Sequence, residues 1–489
     1  MHSSLKQKTL SSLVWKFFER AGNQIIQLVV QVVLARLLAP DAFGMLAIMT
    51  VFINVGNVIV QSGLTTALVQ SPQEESHPDD FSTVFWMSVL ASAVMFGIVF
   101  VSAPAIASFY NMEAVVWPLR ALSFVLVINA FSAVLVAKIT RDLEFEKVFR
   151  ATLYSVILSG VLGIAAAWVG VGVWALVIQQ ISYQAVNCVA LASQVRWRPR
   201  LTFACGRARK LFSFGWRLLL SGLLETMYQS LSDLIIGKKF SADELGFVTQ
   251  GKRYPQALGS LLDGAIQPVM LSAVAHVQDD VRQVKRLVRR ALKTSTFLIV
   301  PAMTILMIVA EPLVKILLGE QWVPCVPFFQ MYCFVYTLLP VHTTNLQALN
   351  GMGRSDIFLK LELIKKGYGL AILLFAAFVL ESAYAIVAGY ILAGLVSTLI
   401  NTRPNKRVIG YSLKEQFCDI APAFLLSAAS FAVAWPIGLL GLGDVALLVL
   451  QAIVAGCCYL TLSCIFHVEA LSYLVASVKE MVFGKDDGK

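Results

Sequence analysis

Long apolar runs follow one another along almost the whole 489-residue chain and constrain its fold more than any other feature. Runs of this length can cross the roughly 30 Å hydrocarbon core of a bilayer as helices. Only 14% of the residues are charged and 58% are hydrophobic, which would give a water-soluble protein an aggregation-prone surface. The sequence therefore predicts an all-α integral membrane protein.

Hydropathy and turn signals predict about fourteen transmembrane helices. They fall near residues 13–38, 43–68, 81–105, 114–138, 150–169, 172–194, 213–236, 245–275, 294–318, 325–347, 359–380, 383–401, 417–440 and 443–466. The first run is interrupted by Lys16, Glu19 and Arg20, and no small-residue cleavage site follows it. We therefore interpret it as an uncleaved span rather than a signal peptide.

Lysine and arginine are concentrated in every second predicted loop. With both termini in the cytoplasm, all but seven of the 39 cations fall on the inside, as the positive-inside rule requires. Outward loops such as Gly170 to Gly172 and Glu381 to Ser382 are too short to form a catalytic domain. The net charge of +10 thus reflects topology and attraction to anionic membrane lipids, and we expect no nucleic-acid partner.

A short sequence repeat indicates that the chain is built from two similar halves. Ala39 to Gly44 follows the first span, and Ser241 to Gly246 follows the seventh. Ser62-Gly63 and Asp263-Gly264 come next at similar spacing, so duplication is favoured over a chance match. We predict two pseudo-symmetric six-helix lobes plus a C-terminal helix pair. The predicted segments are an N-terminal lobe (1–195), a basic cytoplasmic linker (196–212), a C-terminal lobe (213–412), the extra helix pair (413–466) and an amphipathic cytoplasmic tail (467–489).

Polar side chains recur at helical spacing within several predicted spans. A charge at mid-membrane costs about 2.5–3.5 kcal/mol, so such residues need a partner or a water-filled lumen. The predicted substrate-binding residues lie on the first two helices of each repeat: Arg20, Gln24, Gln27, Gln31, Asn54, Asn57, Gln61, Lys252, Arg253 and Gln256. Glu225, Asp233 and Asp263 are candidates for ion or proton coupling, or for pairing with the cations. The alternative is that these side chains only hydrogen-bond one helix to another.

The residue types in these stripes favour a particular kind of substrate. Arginine binds phosphate oxygens in pairs, and the amides of asparagine and glutamine match sugar hydroxyls. The eight cysteines and five histidines are dispersed and show no metal-binding spacing, and there is no phosphate-binding loop for ATP. We therefore expect a transporter of an anionic, hydroxyl-rich molecule, with no catalytic residue, metal or cofactor other than a coupling H⁺ or Na⁺.

Two segments interleave apolar residues with charges, namely Asp279 to Lys293 and Glu469 to Phe483. This pattern is typical of helices that lie along a membrane surface. We expect both on the cytoplasmic surface, with docking of a partner protein as the alternative.

Several short motifs, in this order along the chain, resemble polysaccharide flippases of the multidrug/oligosaccharidyl-lipid/polysaccharide (MOP) superfamily. The motifs are Phe43 to Ala47, Ser62 to Leu64, Ala67 to Gln70, Arg141 to Phe145, Gly172 to Val177, Trp197 to Arg200, Gln250 to Pro255 and Gly351 to Arg354. The likeness covers most of residues 10–410 and is greatest to the Wzx-like branch that exports colanic or teichuronic acid.

The resemblance implies a cargo, a mechanism and a location. The cargo is an undecaprenyl-pyrophosphate-linked oligosaccharide, moved by alternating access across the bacterial inner membrane for exopolysaccharide, capsule or O-antigen assembly. Arg20, Lys252 and Arg253 would meet its pyrophosphate, and a polysaccharide polymerase and export machinery would be partners. The alternatives are a multidrug or cation antiporter of the same superfamily, and a membrane polysaccharide polymerase or glycosyltransferase, which normally needs a larger outward loop.

Overall fold

The computed structural model describes residues 22–61, 68, 78–142, 144–195 and 197–483. Within these ranges the chain is almost entirely helical and contains no β-strand, which confirms the predicted all-α fold. The chain divides into two compact units, one ending at Thr249 and the other running from Gln250 to Lys489. The finer segment boundaries proposed from the sequence stay predictions.

The first unit consists of seven complete helices and the beginning of an eighth within the described residues. They are α1 (Gly22–Leu37), α2 (Pro40–Gln61), α3 (Pro78–Tyr110), α4 (Val116–Asp142), α5 (Phe145–Trp168), α6 (Val173–Gln194), α7 (Cys205–Lys239) and the beginning of α8 (Ala242–His276). Helix α2 packs against α3, α4 and α7, and α5 forms a hairpin with α6. Helix α1 reaches α5, where Val30 lies against Gly160.

The second unit continues from α8 to the end of the described chain. Its helices are α9 (Val281–Ile308), α10 (Ala310–Leu317), α11 (Val326–Thr337), α12 (Leu339–Gly351), α13 (Ser355–Phe378), α14 (Ala383–Val408), α15 (Leu413–Ala434), α16 (Asp444–Ile465) and α17 (Glu469–Phe483). Helix α9 packs against α11, α12, α15 and α16, and α14 packs against α11, α12 and α13. The span predicted near 325–347 is broken into α11 and α12, with Pro340 in the first turn of α12, where proline is tolerated.

Ten helical segments in the described ranges are long and apolar enough to cross a membrane. Helices α7, α8 and α13 correspond to predicted spans but are not among these ten. Charges in their sequences explain this, for example the adjacent pairs Lys252–Arg253 and Lys365–Lys366. The multi-pass architecture is therefore clear, and the count of fourteen spans stays a prediction.

The structure corrects the interpretation of the amphipathic segment Asp279 to Lys293. Asp280 caps a helix by accepting hydrogen bonds from the backbone amides of Arg282 (2.9 Å) and Gln283 (3.1 Å). That helix, α9, then continues without a break to Ile308. Its buried stripe of Val284, Val288 and Leu292 packs into a protein core formed with α8, α12 and α15. The apolar face is covered by helices rather than by lipid headgroups, so this is the first part of a long helix and not a separate surface helix.

The second amphipathic segment forms a helix of its own, α17, as predicted. Ala470 packs with Phe297 of α9 and Tyr459 of α16. Lys293 pairs with Glu469 at 2.6 Å, and this ammonium group lowers the pKa of the Glu469 carboxyl below its usual value. These contacts fix the beginning of α17 against the second unit.

The two repeated turns adopt equivalent positions and touch each other. Gly44 is the fifth residue of α2, and Gly246 is the fifth residue of α8. A Cβ atom on Gly44 would lie 1.8 Å from the carbonyl oxygen of Ala242, and one on Gly246 would lie 2.2 Å from that of Pro40. Only glycine permits backbones to approach this closely. The structure thus supports the predicted repeat at this point. It also explains why both positions are glycine, because each turn packs its backbone against the glycine of the other within the first unit.

Replacing Gly246 with alanine should destabilise the protein by about 1–3 kcal/mol, as other overpacking changes do. The new methyl group would meet the backbone at Pro40, which cannot swing away as a flexible side chain would. The melting temperature of the detergent-purified protein measures the effect. Gly97→Ala in α3 is the matched control, because its Cβ would meet nothing within 4 Å and alanine favours helix over glycine. Equal melting temperatures for the two variants would contradict the close approach.

Candidate functional site

The predicted substrate-binding residues of α1 lie on one side of a helix that packs against α5. Gln24 and Gln27 are half-buried and Gln31 is buried. The steps of three and four residues between them return to the same helical face. Beside them, Asn23 is buried, and its Oδ1 atom has no hydrogen-bond partner in the described part of the chain. Arg20, the predicted cation of this stripe, lies outside the described residues.

Helix α2 carries three further predicted binding residues with different surroundings. Asn54 and Gln61 are exposed, and Asn57 is half-buried. The side-chain amide of Asn129 in α4 donates a 2.8 Å hydrogen bond to Oδ1 of Asn57. This bond holds the Asn57 side chain in one orientation, whereas the side chains of Asn54 and Gln61 are exposed.

The two carboxylates predicted for ion coupling in the first unit lie two turns apart on α7. Glu225 is half-buried and accepts a 2.7 Å hydrogen bond from the amide of Gln229. Asp233 is also half-buried and accepts a longer hydrogen bond, 3.3 Å, from the hydroxyl of Ser232. Because α7 packs along α2, the first unit places the helix with these two carboxylates beside the amide-bearing one.

In the second unit, the predicted cations lie on α8. Its buried residues Gly251 and Pro255 fall on the face toward α11, and a Cβ atom on Gly251 would lie 2.8 Å from that of Phe328. Lys252 and Arg253 are half-buried. Gln256, one turn after Arg253 on the helix, is exposed. The packing of α8 therefore leaves an amide and two cationic side chains within one turn of each other.

Asp263, the third predicted coupling carboxylate, lies further along α8. It is half-buried and accepts a hydrogen bond from the hydroxyl of Thr343 in α12. The structure thus gives each of the three predicted carboxylates a hydrogen-bond donor in its own unit. Whether any of them takes up an ion, and whether the polar stripes bind substrate, stays a prediction.

A buried polar network in the second unit was not predicted from the sequence. Asn345 of α12 donates a 2.8 Å hydrogen bond to Gln416 of α15, and Asn405 of α14 donates to Asn345. The side chain of Asn401 contacts Nδ1 of His342 at 3.1 Å. Asn345, Asn401 and Asn405 are completely buried. The only sequence signal for this network was weak, because it consisted of polar residues at helical spacing, such as Asn401 and Asn405, in spans that otherwise resemble an ordinary apolar core.

The described residues contain no group of three histidine, cysteine, aspartate or glutamate side chains that could hold a metal ion. Seven of the cysteines are free thiols, namely Cys188, Cys325, Cys333, Cys418, Cys457, Cys458 and Cys464. The polar groups on the described helices are mainly amides, hydroxyls and single charges, which suit binding by hydrogen bonds and ion pairing.

Comparison with protein-family models identifies one matching family, described as polysaccharide biosynthesis protein, over residues 33–327. The chain is 23% identical to the lipopolysaccharide biosynthesis protein WzxC of Escherichia coli strain K12, over 91% of this chain and 90% of WzxC. It is also 23% identical to the teichuronic acid biosynthesis protein TuaB of Bacillus subtilis, over 89% and 90% of the two chains. The succinoglycan biosynthesis transport protein ExoT of Rhizobium meliloti is 23% identical over 75% of this chain and 74% of ExoT.

Solved structures show the same fold at low sequence identity. An inward closed structure of the lipid II flippase MurJ matches with a TM-score of 0.76 at 13% identity, covering 94% of this chain and 99% of MurJ. An inward-facing multidrug resistance MATE family transporter of the MOP superfamily matches with a TM-score of 0.61 at 14% identity, covering 80% and 98%. The family model and the sequence relatives confirm the resemblance to polysaccharide transport proteins that the motifs indicated, and the solved structures show a fold shared with a MOP-superfamily transporter.

Replacing Asn345 with leucine should destabilise the second unit by about 1–3 kcal/mol, because it removes the side-chain amide that donates to Gln416 and accepts from Asn405, and so leaves the buried Oε1 atom of Gln416 without its donor. Thermal unfolding of the purified protein measures this loss. Asn350→Leu serves as the control, since it makes the same exchange on α12 at a half-buried position. If both variants unfolded at the wild-type temperature, the network would contribute nothing to stability.

Proposed function

This chain belongs to the family of polysaccharide biosynthesis proteins, and we propose that it is a flippase for a lipid-linked oligosaccharide. The observation that carries the proposal is the match to WzxC and TuaB over about nine tenths of each chain. WzxC is named for lipopolysaccharide biosynthesis, TuaB for teichuronic acid biosynthesis, and ExoT as a succinoglycan biosynthesis transport protein. A chain alignable over most of its length to such proteins supports transport of a precursor in the same kind of pathway.

The fold supports movement across the membrane as the function. One solved structure with this fold is a lipid II flippase and another is a multidrug transporter of the MOP superfamily. Within the described residues, the loops that are predicted to face outward are short, for example the loops between α5 and α6 and between α13 and α14. Such loops offer no scaffold for a polymerase or glycosyltransferase site, so the geometry favours a transporter over an enzyme.

The polar residues of α1, α2 and α8 supply the recognition chemistry that this cargo requires. Lys252 and Arg253 are half-buried cations, and a guanidinium group binds pyrophosphate oxygens in pairs. Arg20 is proposed to act with them. The amides of Gln24, Gln27, Gln31, Asn54, Asn57, Gln61 and Gln256 replace the water that hydrates the sugar hydroxyls.

The proposed cycle is alternating access in the bacterial inner membrane with both chain termini in the cytoplasm. The headgroup enters a polar cavity while the polyprenyl tail stays in the lipid. Uptake of H⁺ or Na⁺ at Glu225, Asp233 or Asp263 drives the return step, and a polysaccharide polymerase receives the exported unit. The supporting observation is that each of these carboxylates is only half-buried within its helix bundle, where a change of charge alters its interactions strongly.

Deleting the gene in its native host should stop surface polysaccharide production and cause the lipid-linked oligosaccharide to accumulate on the cytoplasmic side. Mass spectrometry of extracted lipids measures the intermediate, and surface staining measures the polymer. Efflux of a fluorescent lipophilic cation should stay at the wild-type rate. Reduced efflux without accumulation of the intermediate would instead identify a drug antiporter.

Replacing Arg20 and Arg253 together with alanine should reduce polysaccharide export roughly a hundredfold, since losing one partner of a desolvated charge pair costs about 2–5 kcal/mol. Export is measured by complementation of the deletion strain, and membrane abundance by immunoblotting. Arg282→Ala is the matched control, because Arg282 is an exposed cation on the first turn of α9. Arg253→Lys should retain part of the activity because it keeps the charge. Wild-type export in the double variant would remove these two residues from the binding site without affecting the assignment of the family.

A further inference from the structure

A groove of about 1290 Å³ opens at one end of the first unit, between α3, α4, α6 and the segment that follows α6. Its walls include the aromatic rings of Phe81, Phe85, Phe131 and Trp197. The ring of Phe85 packs edge-on against the rings of Phe131 and Trp197, with distances between ring centroids of 5.2 Å and 6.0 Å. These contacts make the aromatic side of the groove continuous. The volume of the groove exceeds the roughly 300–1,000 Å³ typical of sites for drug-sized molecules.

The segment after α6 forms one rim of this groove and is tied to α3 by hydrogen bonds. The backbone carbonyl of Arg200 accepts a 2.9 Å hydrogen bond from the indole of Trp86, and its amide donates to Ser82 at 3.1 Å. Further along, the hydroxyl of Thr202 donates to Asp79 at 3.1 Å, and the amide of Ala204 donates to Thr83 at 3.3 Å. This part of the basic linker therefore has a defined path across the beginning of α3.

Three cations line the groove, namely Lys138, Arg198 and Arg200. Arg198 and Arg200 are exposed, and Lys138 is half-buried. None of the three forms an ion pair with a carboxylate in the described part of the chain, and no acidic residue appears among the groove's described lining residues. The hydrogen bonds of Arg200 to α3 come from its backbone, so its side chain remains available to a ligand.

We infer that this groove binds an anionic phospholipid, with an acyl chain along the aromatic wall and the phosphate at Lys138, Arg198 and Arg200. An apolar groove bordered by cations matches a molecule that is apolar along most of its length and negative at one end. The predicted topology places this end of the helices at the cytoplasmic surface, where anionic lipids attract lysine and arginine at about 1 kcal/mol per residue. Tryptophans such as Trp86 and Trp197 are also typical of the interface between lipid and water.

The position of the groove separates this role from the proposed transport site. The groove is lined from α3, α4, α6 and the linker, whereas the predicted cargo-binding residues lie on α1, α2 and α8. The anchored rim holds its two arginines near one another before any ligand binds, which lowers the entropy lost on binding. The bound lipid would fasten the basic linker to the first unit.

The test uses the full-length protein, purified in detergent and stripped of lipid. Phosphatidylglycerol and phosphatidylcholine with identical acyl chains are added, and native mass spectrometry measures the retained lipid. Wild-type protein should retain phosphatidylglycerol preferentially. The double variant Arg198→Gln, Arg200→Gln should weaken this retention about tenfold or more, while its backbone bonds to α3 are kept. The matched control Arg282→Gln, Arg286→Gln removes two exposed cations from α9 and should leave retention unchanged.

A second variant tests the aromatic wall without changing charge. Ala192→Trp places a large ring in the groove, because Ala192 lines it, and should also weaken retention. Val189→Trp on the same helix is its control, since Val189 is 69% exposed and is not among the groove's described lining residues. Melting temperatures identify a groove variant that has lost its fold. If either the arginine double variant or Ala192→Trp fails to fold, the remaining one of these two decides the outcome.

Four results would overturn the inference. They are equal retention of the two lipids by the wild type, unchanged retention in both groove variants, equal weakening in the controls, and displacement of phosphatidylglycerol by inorganic phosphate at similar concentration. A fifth result, displacement by a polyprenyl phosphate at a far lower concentration, would assign the groove to the cargo and would also overturn it. The first four results do not bear on whether the chain is a flippase, and the fifth would support that function.

Discussion

The absence of water from the hydrocarbon core is the constraint on which this structure depends. Backbone amides and carbonyls must find partners inside the protein, and long helices provide them within each segment. Small polar side chains meet the same requirement by bonding to their own helix. Ser155 donates to the carbonyl of Ala151 at 2.6 Å, and Thr296 donates to that of Leu292 at 2.6 Å. Hydroxyls can therefore be buried in the spans at low cost, whereas amides and charges need neighbours from other helices.

The amides show how the same residue type acquires different roles under this constraint. Asn345 lies opposite Gln416 and Asn405 and joins three helices of the second unit. Asn57 has one such neighbour, Asn129, and stays half-buried. Asn54, one turn away on α2, is exposed. The number of partners that neighbouring helices provide thus separates residues that hold the bundle together from residues that stay exposed.

Charge is distributed according to a related rule. The sequence predicts that most cations lie near helix ends, and the structure gives several of them partners within the protein. Arg289 pairs with Asp419 at 2.6 Å, and Lys293 lies between Asp419 and Glu469. At the corresponding end of the first unit, Arg198 and Arg200 border an aromatic groove instead. The two basic surfaces therefore differ in their partners: the cations of one are paired with carboxylates within the protein, and Arg198 and Arg200 of the other form no such pair in the described part of the chain.

The sequence by itself determined the all-α membrane fold, the short turns at Gly170 and Glu381, the repeated turn that ends in Gly44 and Gly246, and the family. These features depend on local apolar length, turn residues and motif order, which are readable without knowing which helices touch. Only the tertiary structure decided that Asp279 to Lys293 continues into α9, that Asn345 reaches Gln416, and that Arg200 is tied to Ser82. The partners in the last two contacts are 71 and 118 residues apart along the chain. Their pairing follows from how helices pack, because an amphipathic or polar pattern specifies that a face needs a partner but not which element supplies it.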